Sequence, residues 1–122
     1  MKLANGSYDN STTVKDEAGI LAEFQFRSQQ VYQDNNSVRR IVYGDDEREN
    51  IDWFISSQPA RGTIIFIHGG YWQSCNKEDF AFITTGPLMA GFDVMLVEYS
   101  LAPRVTLQQI YQQIGAALDT IY

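Results

Sequence analysis

The sequence predicts an α/β fold, and three stretches carry that prediction. Thr63-Ile64-Ile65-Phe66-Ile67 and Asp93–Tyr99 (DVMLVEY) are short, continuously apolar and β-branched, the pattern of strands buried on both faces. Lys77 to Ala90, between them, can form a helix, which makes the pair a parallel β-α-β unit with a right-handed crossover. Upstream, two further strand-like segments flank an acidic turn and form an antiparallel start. The expected whole is a single domain with a mixed, mostly parallel sheet and crossover helices.

Residues 1–13 are polar and rich in Asn and Ser and read as an extended arm. Over 14–32, Ile20, Leu21, Phe24 and Val31 fall at roughly helical spacing, and Asp34, Asn35, Asn36 and Ser37 then form a turn cluster. Val38 to Tyr43 is β-branched and aromatic and ends at Gly44. Asn50 to Ser56 alternates Ile51, Trp53 and Ile55, and Asp45 to Glu49 suits the hairpin loop between the two. Pro59 to Gly62 is another turn. Within the helix expected over Lys77–Ala90, Gly86-Pro87 is placed to interrupt it early, and Gly91 to stop it. After Leu101-Ala102-Pro103, Thr106 is a good N-cap for a helix whose Leu107, Ile110, Tyr111, Ile114, Ala117, Leu118 and Ile121 share one stripe, read as core packing. Residues 38–122 thus form the sheet with its crossover helices.

Composition narrows the function classes. Nine basic against fifteen acidic residues give a net charge of −6, which disfavours nucleic acid or an anionic membrane as main partner. One cysteine, Cys75, excludes an internal disulfide, and one histidine, His68, excludes a His-rich metal site. No apolar run is long enough to span a bilayer, and MKLANGSYDN lacks the apolar core of a secretory signal, so a cytoplasmic location is the default. Arg39-Arg40 and the Asp45–Glu49 run read as solvated faces. Glu98, near the end of its strand, reads as a loop anchor.

The chemistry lies in Ile67-His68-Gly69-Gly70-Tyr71-Trp72, directly after a buried strand, where loops at the carboxyl ends of a parallel sheet build binding sites. Adjacent glycines let backbone approach a ligand closely, and N–H groups freed from the ladder can face a developing oxyanion. A strand followed by His-Gly-Gly-X is the form of this loop in esterases and lipases. The bland alternative is a plain tight turn, and Tyr71 and Trp72 could equally be core or interface aromatics. A local nucleophile, Ser74 or Cys75 paired with His68, lacks a third orienting group.

FIHGGYWQSCNKEDFAF, GFDVMLVEYSLAP and TLQQIYQQIGAALDTI resemble successive blocks of the arylformamidase (kynurenine formamidase)-like α/β-hydrolases, and YGDDERENIDWF and YDNSTTVKD resemble segments upstream. The resemblance covers almost the whole chain. It implies that the backbone amides of Gly70 and Tyr71 belong to an oxyanion hole, that Gly69 makes room, that Trp72 lies near the substrate and that His68 organises the loop. It implies a serine hydrolase acting on an aryl formamide such as N-formylkynurenine or on a small carboxylic ester, without a cofactor. The G-x-S-x-G elbow of such enzymes does not occur in these 122 residues. The reading is therefore the N-terminal portion of such a domain, expected to be inactive alone. Its alternative is a non-catalytic assembly or binding module: one side of Thr63–Ile67 would lack a partner strand, inviting a homodimer or a complementing chain.

Overall fold

Every residue of the strand Asp93–Val97 is buried, and the other elements are arranged around it. The computed structural model describes residues 15–35, 38–57 and 59–121. Its elements are α1 (Glu17–Asp34), β1 (Val38–Val42), β2 (Asn50–Phe54), β3 (Thr63–Ile67), a 3-10 helix (Lys77–Thr84), α2 (Thr85–Met89), β4 (Asp93–Val97) and α3 (Leu107–Ile121). The arm expected over residues 1–13 lies outside the described residues.

The strand order is β1-β2-β4-β3. β1 pairs antiparallel with β2 and β2 antiparallel with β4, while β3 runs parallel to β4 with Thr63 opposite Asp93 and Ile67 opposite Val97. The sheet is mixed, as expected, but two of these three pairings are antiparallel. Parallel pairs come from β-α-β units, and the described residues contain one such unit.

Alternation along the strands divides the core in two. On one face Ile51, Met95 and Val97 pack with Ala117 and Ile121 of α3. On the other, Phe54, Val94 and Leu96 pack with Ala81 and with Val31, Tyr32, Ile83 and Leu88 of the opposite layer. α1 meets the 3-10 helix through Phe24, whose ring lies 4.6 Å from Phe82 and 6.4 Å from Phe80.

Three expectations change. The helix expected over Lys77–Ala90 is a 3-10 helix over Lys77–Thr84 followed by the single turn of α2, and the break falls beside Gly86-Pro87 as expected, where the Pro87 ring would clash with the carbonyl four residues back in a continuous α-helix. Gly91, at φ 88°, ends it as expected. β3 is the edge strand that its unpaired side implied, but Thr63, Ile64 and Ile67 are exposed where both faces were expected to be covered, since apolar β-branched composition does not tell how far neighbours cover a strand. Finally, the α3 stripe is core only in part. Ile110 and Ala117 are buried, but Leu107 is 59% and Tyr111 77% exposed. The start of α3 is as read: Gln109 N donates to Thr106 Oγ1 (3.1 Å) and Thr106 N to Gln109 Oε1 (2.7 Å), a reciprocal cap.

Candidate active site

The β3–β4 ladder ends at Ile67 and Val97, so the next residues of both strands leave the sheet side by side at its carboxyl edge. From β3 emerges the loop His68–Asn76; from β4 emerge Glu98, Tyr99 and Ser100. Continuing the alternation of β4, Glu98 falls on the side of the 3-10 helix and Tyr99 on the side of the loop aromatics.

Gly70 (φ 119°), Tyr71 (φ 54°) and Trp72 (φ 65°) form an unbroken run of positive φ, and Cys75 (φ 74°) repeats it. Gly70 cannot be replaced without displacement: a Cβ there would lie 2.4 Å from the backbone oxygen of Ser74. At Gly69 an added Cβ would meet nothing within 4 Å, so this side of the loop is open. For the two aromatics the left-handed region costs roughly 1–2 kcal/mol each, so the surroundings must hold them there. Gln73 N and Ser74 N both donate to Gly70 O (3.0 and 3.2 Å), and Ala102 N donates to Trp72 O (2.8 Å).

His68 fixes the entry to the loop. It is fully buried, with its ring stacked on Tyr99 (4.5 Å between centroids) and parallel to Phe80 (5.9 Å). Its Nε2 lies 2.6 Å from Glu98 Oε1 and its Nδ1 2.7 Å from Gly69 O, so both ring nitrogens face oxygen acceptors. Tyr99 donates its hydroxyl to His68 O at 2.7 Å. Burial, with the nearby negative charge of Glu98, pushes the Tyr99 phenol up to about 12, which keeps it a neutral donor.

Glu98 is the hub. It is buried and accepts from His68 Nε2, from Arg48 Nη2 (3.0 Å) and from Tyr99 N (3.2 Å) at Oε1, and from Lys77 N (3.0 Å) at Oε2. Burial alone would raise its pKa, but the hydrogen bonds from His68 and Lys77 N and the charges of His68 and Arg48 hold it below the usual carboxylate range. The loop-anchor reading of Glu98 is the arrangement found.

The reading of Asp45–Glu49 as a solvated run does not hold for Arg48. Its Nε donates to Tyr99 O (2.8 Å), Nη1 to Asn76 Oδ1 (2.5 Å) and Nη2 to Cys75 O (2.8 Å) as well as to Glu98. Nor is Arg40 simply solvated: it forks onto buried Asp52 (2.8 and 3.1 Å), which also accepts from the Tyr32 hydroxyl (2.7 Å) and lies 3.4 Å from the ammonium of buried Lys77. Sequence spacing could not reveal either network, because the partners lie far apart along the chain.

The structure brings His68, Gly69, Gly70, Tyr71 and Trp72 together at one edge. It does not bring Ser74 or Cys75 to His68. Ser74 Oγ donates to Gly70 O (3.1 Å), and the imidazole nitrogens are engaged with Glu98 and Gly69. Trp72 tilts against Tyr99 (5.6 Å) and walls an apolar groove of about 270 Å³ with Leu107, Ile110, Tyr111 and Ile114. Among the described residues no cluster of His, Cys, Asp and Glu could hold a metal ion, and no helix is long and apolar enough to cross a membrane.

Comparison with known proteins agrees with this layout. No protein-family model matches the chain. Over 83 residues it is 33% identical to a kynurenine formamidase of Danio rerio, a match covering 66% of this chain and 28% of that protein. Over 89 residues it is 34% identical to a kynurenine formamidase of Drosophila melanogaster, covering 70% and 29% respectively. The chain thus spans well under a third of the curated relatives it matches. A crystal structure from Silicibacter sp. described as a candidate thioesterase superposes with a TM-score of 0.84 at 27% identity, covering 97% of this chain and 44% of the other. Esterase B of Lactobacillus rhamnosis (TM-score 0.54, 23% identity, 84% and 38% covered) shares the fold.

Proposed function

We propose that this α/β-hydrolase segment, similar in sequence to the kynurenine formamidases, supplies one wall of an oxyanion hole through the backbone amides of Gly70 and Tyr71. The observation that carries the reading is the left-handed run Gly70-Tyr71-Trp72, held beyond the carboxyl end of a parallel strand. Successive residues in such turn conformations direct their N–H groups toward one concave side, where an anion is stabilised. The open space beside Gly69 leaves room for a scissile carbonyl, and Trp72 at the mouth of the apolar groove suits an aryl or acyl group.

The reaction is hydrolysis of an aryl formamide, N-formylkynurenine being the case suggested by the relatives, or of a small carboxylic ester. In such a reaction water's oxygen ends on the acyl carbon and the amine or alcohol leaves with a proton, so a nucleophile and a base are required. The one imidazole here is engaged with Glu98 and Gly69, and no G-x-S-x-G occurs in the sequence. These 122 residues are therefore inactive alone and act when joined by a segment bearing the nucleophile.

The test is hydrolysis of a p-nitrophenyl ester and of N-formylkynurenine, by the chain alone and by the chain complemented with such a segment. Expected are no turnover alone, turnover on complementation, and a loss of about 10²–10³-fold in kcat when Gly70→Ala distorts the donors. Turnover by the chain alone, or complemented turnover indifferent to Gly70→Ala, would overturn the reading.

The edge position of β3 favours a second reading, assembly through that strand. Ile64 is 41% exposed along an edge that carries no partner strand among the described residues. A monodisperse monomer in light scattering would count against it.

A further inference from the structure

We infer that Arg48 is a positioning residue for this loop: from the β1–β2 hairpin it locks the loop's exit, as His68 fixes its entry, and so maintains the left-handed backbone of Gly70, Tyr71 and Trp72. This rests on reading the loop as part of an oxyanion hole, and it assigns a role to a residue far from that loop in sequence.

The argument starts from the strain. Positive φ at Tyr71, Trp72 and Cys75 persists only if both ends of the segment are fixed. The entry is fixed by the contacts of His68 with Glu98 and Tyr99. At the exit, Arg48 holds Cys75 through its carbonyl and Asn76 through its side chain, while Lys77 N is held by Glu98 Oε2. The same guanidinium grips Tyr99 O and Glu98 Oε1, so the exit is tied to the end of β4, against which the entry is also fixed.

The lock is rigid at its own root. Arg48 N donates to Asp46 Oδ1 (2.9 Å), Glu49 N to Asp46 O (2.9 Å) and Asn50 Nδ2 to Glu47 O (2.7 Å), while Arg104 bridges Asp46 at 2.8 Å. Three nitrogens of one planar fork meet four acceptors in two chain segments, Cys75-Asn76 and Glu98-Tyr99. An ammonium could restore the charge beside Glu98 but could not span that set.

The experiment compares the 122-residue chain with its Arg48→Met and Arg48→Lys variants by amide hydrogen exchange. The loop is read at Gln73, Ser74 and Lys77, and the sheet at β2 and β4. In Arg48→Met the loop amides exchange about tenfold faster or more, the scale of a lost hydrogen-bonded anchor, while the sheet amides hold their protection. Arg48→Lys falls between. Loop exchange unchanged in Arg48→Met overturns the inference. So does equal loss in loop and sheet, which would make Arg48 a general stabiliser.

In the complemented hydrolase Arg48→Met lowers kcat by about tenfold or more with KM little changed, because misaligned donors weaken the transition state more than substrate binding. A proportionate rise in KM with kcat retained would also overturn it. If exchange behaves as expected but no complemented form hydrolyses either substrate, the lock stands and the oxyanion reading falls.

Discussion

Gly69 and Gly70 are adjacent, yet the loop treats them oppositely, and this makes a sharp test. At Gly70→Ala the new methyl would sit 2.4 Å from Ser74 O and 2.9 Å from Ser74 C, on a backbone at φ 119° that L-residues rarely adopt. The dihedral alone costs about 1–3 kcal/mol. Relieving the clash moves Ser74, whose N–H and Oγ both donate to Gly70 O, and each lost bond adds about 1 kcal/mol. The expected destabilisation is therefore at least about 2 kcal/mol, a fall of roughly 1 M in the urea midpoint. At Gly69→Ala the methyl meets no atom within 4 Å, and the change should stay within about 0.5 kcal/mol. Urea titrations followed by circular dichroism measure both. Equal midpoints for the two variants would refute the loop geometry on which the site is built. Function should part from stability at Gly69, where a methyl in the open space reduces complemented hydrolysis while the fold is untouched.

Acid should weaken the fold in a defined window. Although burial pushes Asp52 and Glu98 up, their hydrogen-bonded and charged partners outweigh it, and Asp46 is held at about 2 by Arg104 and by the backbone N–H of Arg48. Carboxyls depressed in the fold contribute stability that is present above their ordinary values of 3.8 and 4.5 and is lost as pH falls through the folded values. Urea midpoints should hold from pH 7 to about 5 and drop toward pH 2; a rise on acidification would contradict the networks. Glu98→Gln should cost about 3 kcal/mol at pH 7 and shallow the acid limb, because Arg48 and His68 lose a charged acceptor. Asp52→Asn should cost about 2 kcal/mol by thermal or urea melts, since it removes the buried charge that accepts from Arg40 and Tyr32 and leaves Lys77 only Glu78, whereas Arg40→Ala, at a half-exposed partner, should cost less than about 1 kcal/mol. Ile64→Lys should lower any self-association seen by light scattering without shifting the melting temperature by more than a few degrees, since it charges only the open edge.

What was legible in the sequence was local. TIIFI is the strand Thr63–Ile67 residue for residue, DVMLV begins β4 where expected, and Thr106 caps α3 with Gln109 three residues on. The glycine pair marked the loop. What the loop does next was not legible: positive φ at Tyr71 and Trp72 has no local signature, because aromatic side chains avoid that region unless distant contacts impose it. Those contacts come from Arg48 and Glu98, fifty residues apart, and an arginine inside an acidic run looks solvated until the fold carries it inward. The same blindness affected burial. A β-branched run does not tell how far its faces are covered, and the α3 stripe does not tell how much of its length meets the sheet.

The alternation that turns Glu98 toward one layer and Tyr99 toward the other makes the site sensitive to a kind of change that leaves every side chain of the site intact. One residue inserted or deleted between Val97 and Ser100 would exchange the directions in which the carboxylate and the phenol point. The histidine would then lose its stacking ring and its acceptor in one step, and the arginine fork its carboxylate. Variation in length should therefore be confined to the segment between β2 and β3, while the few positions after β4 tolerate changes of letter better than changes of count.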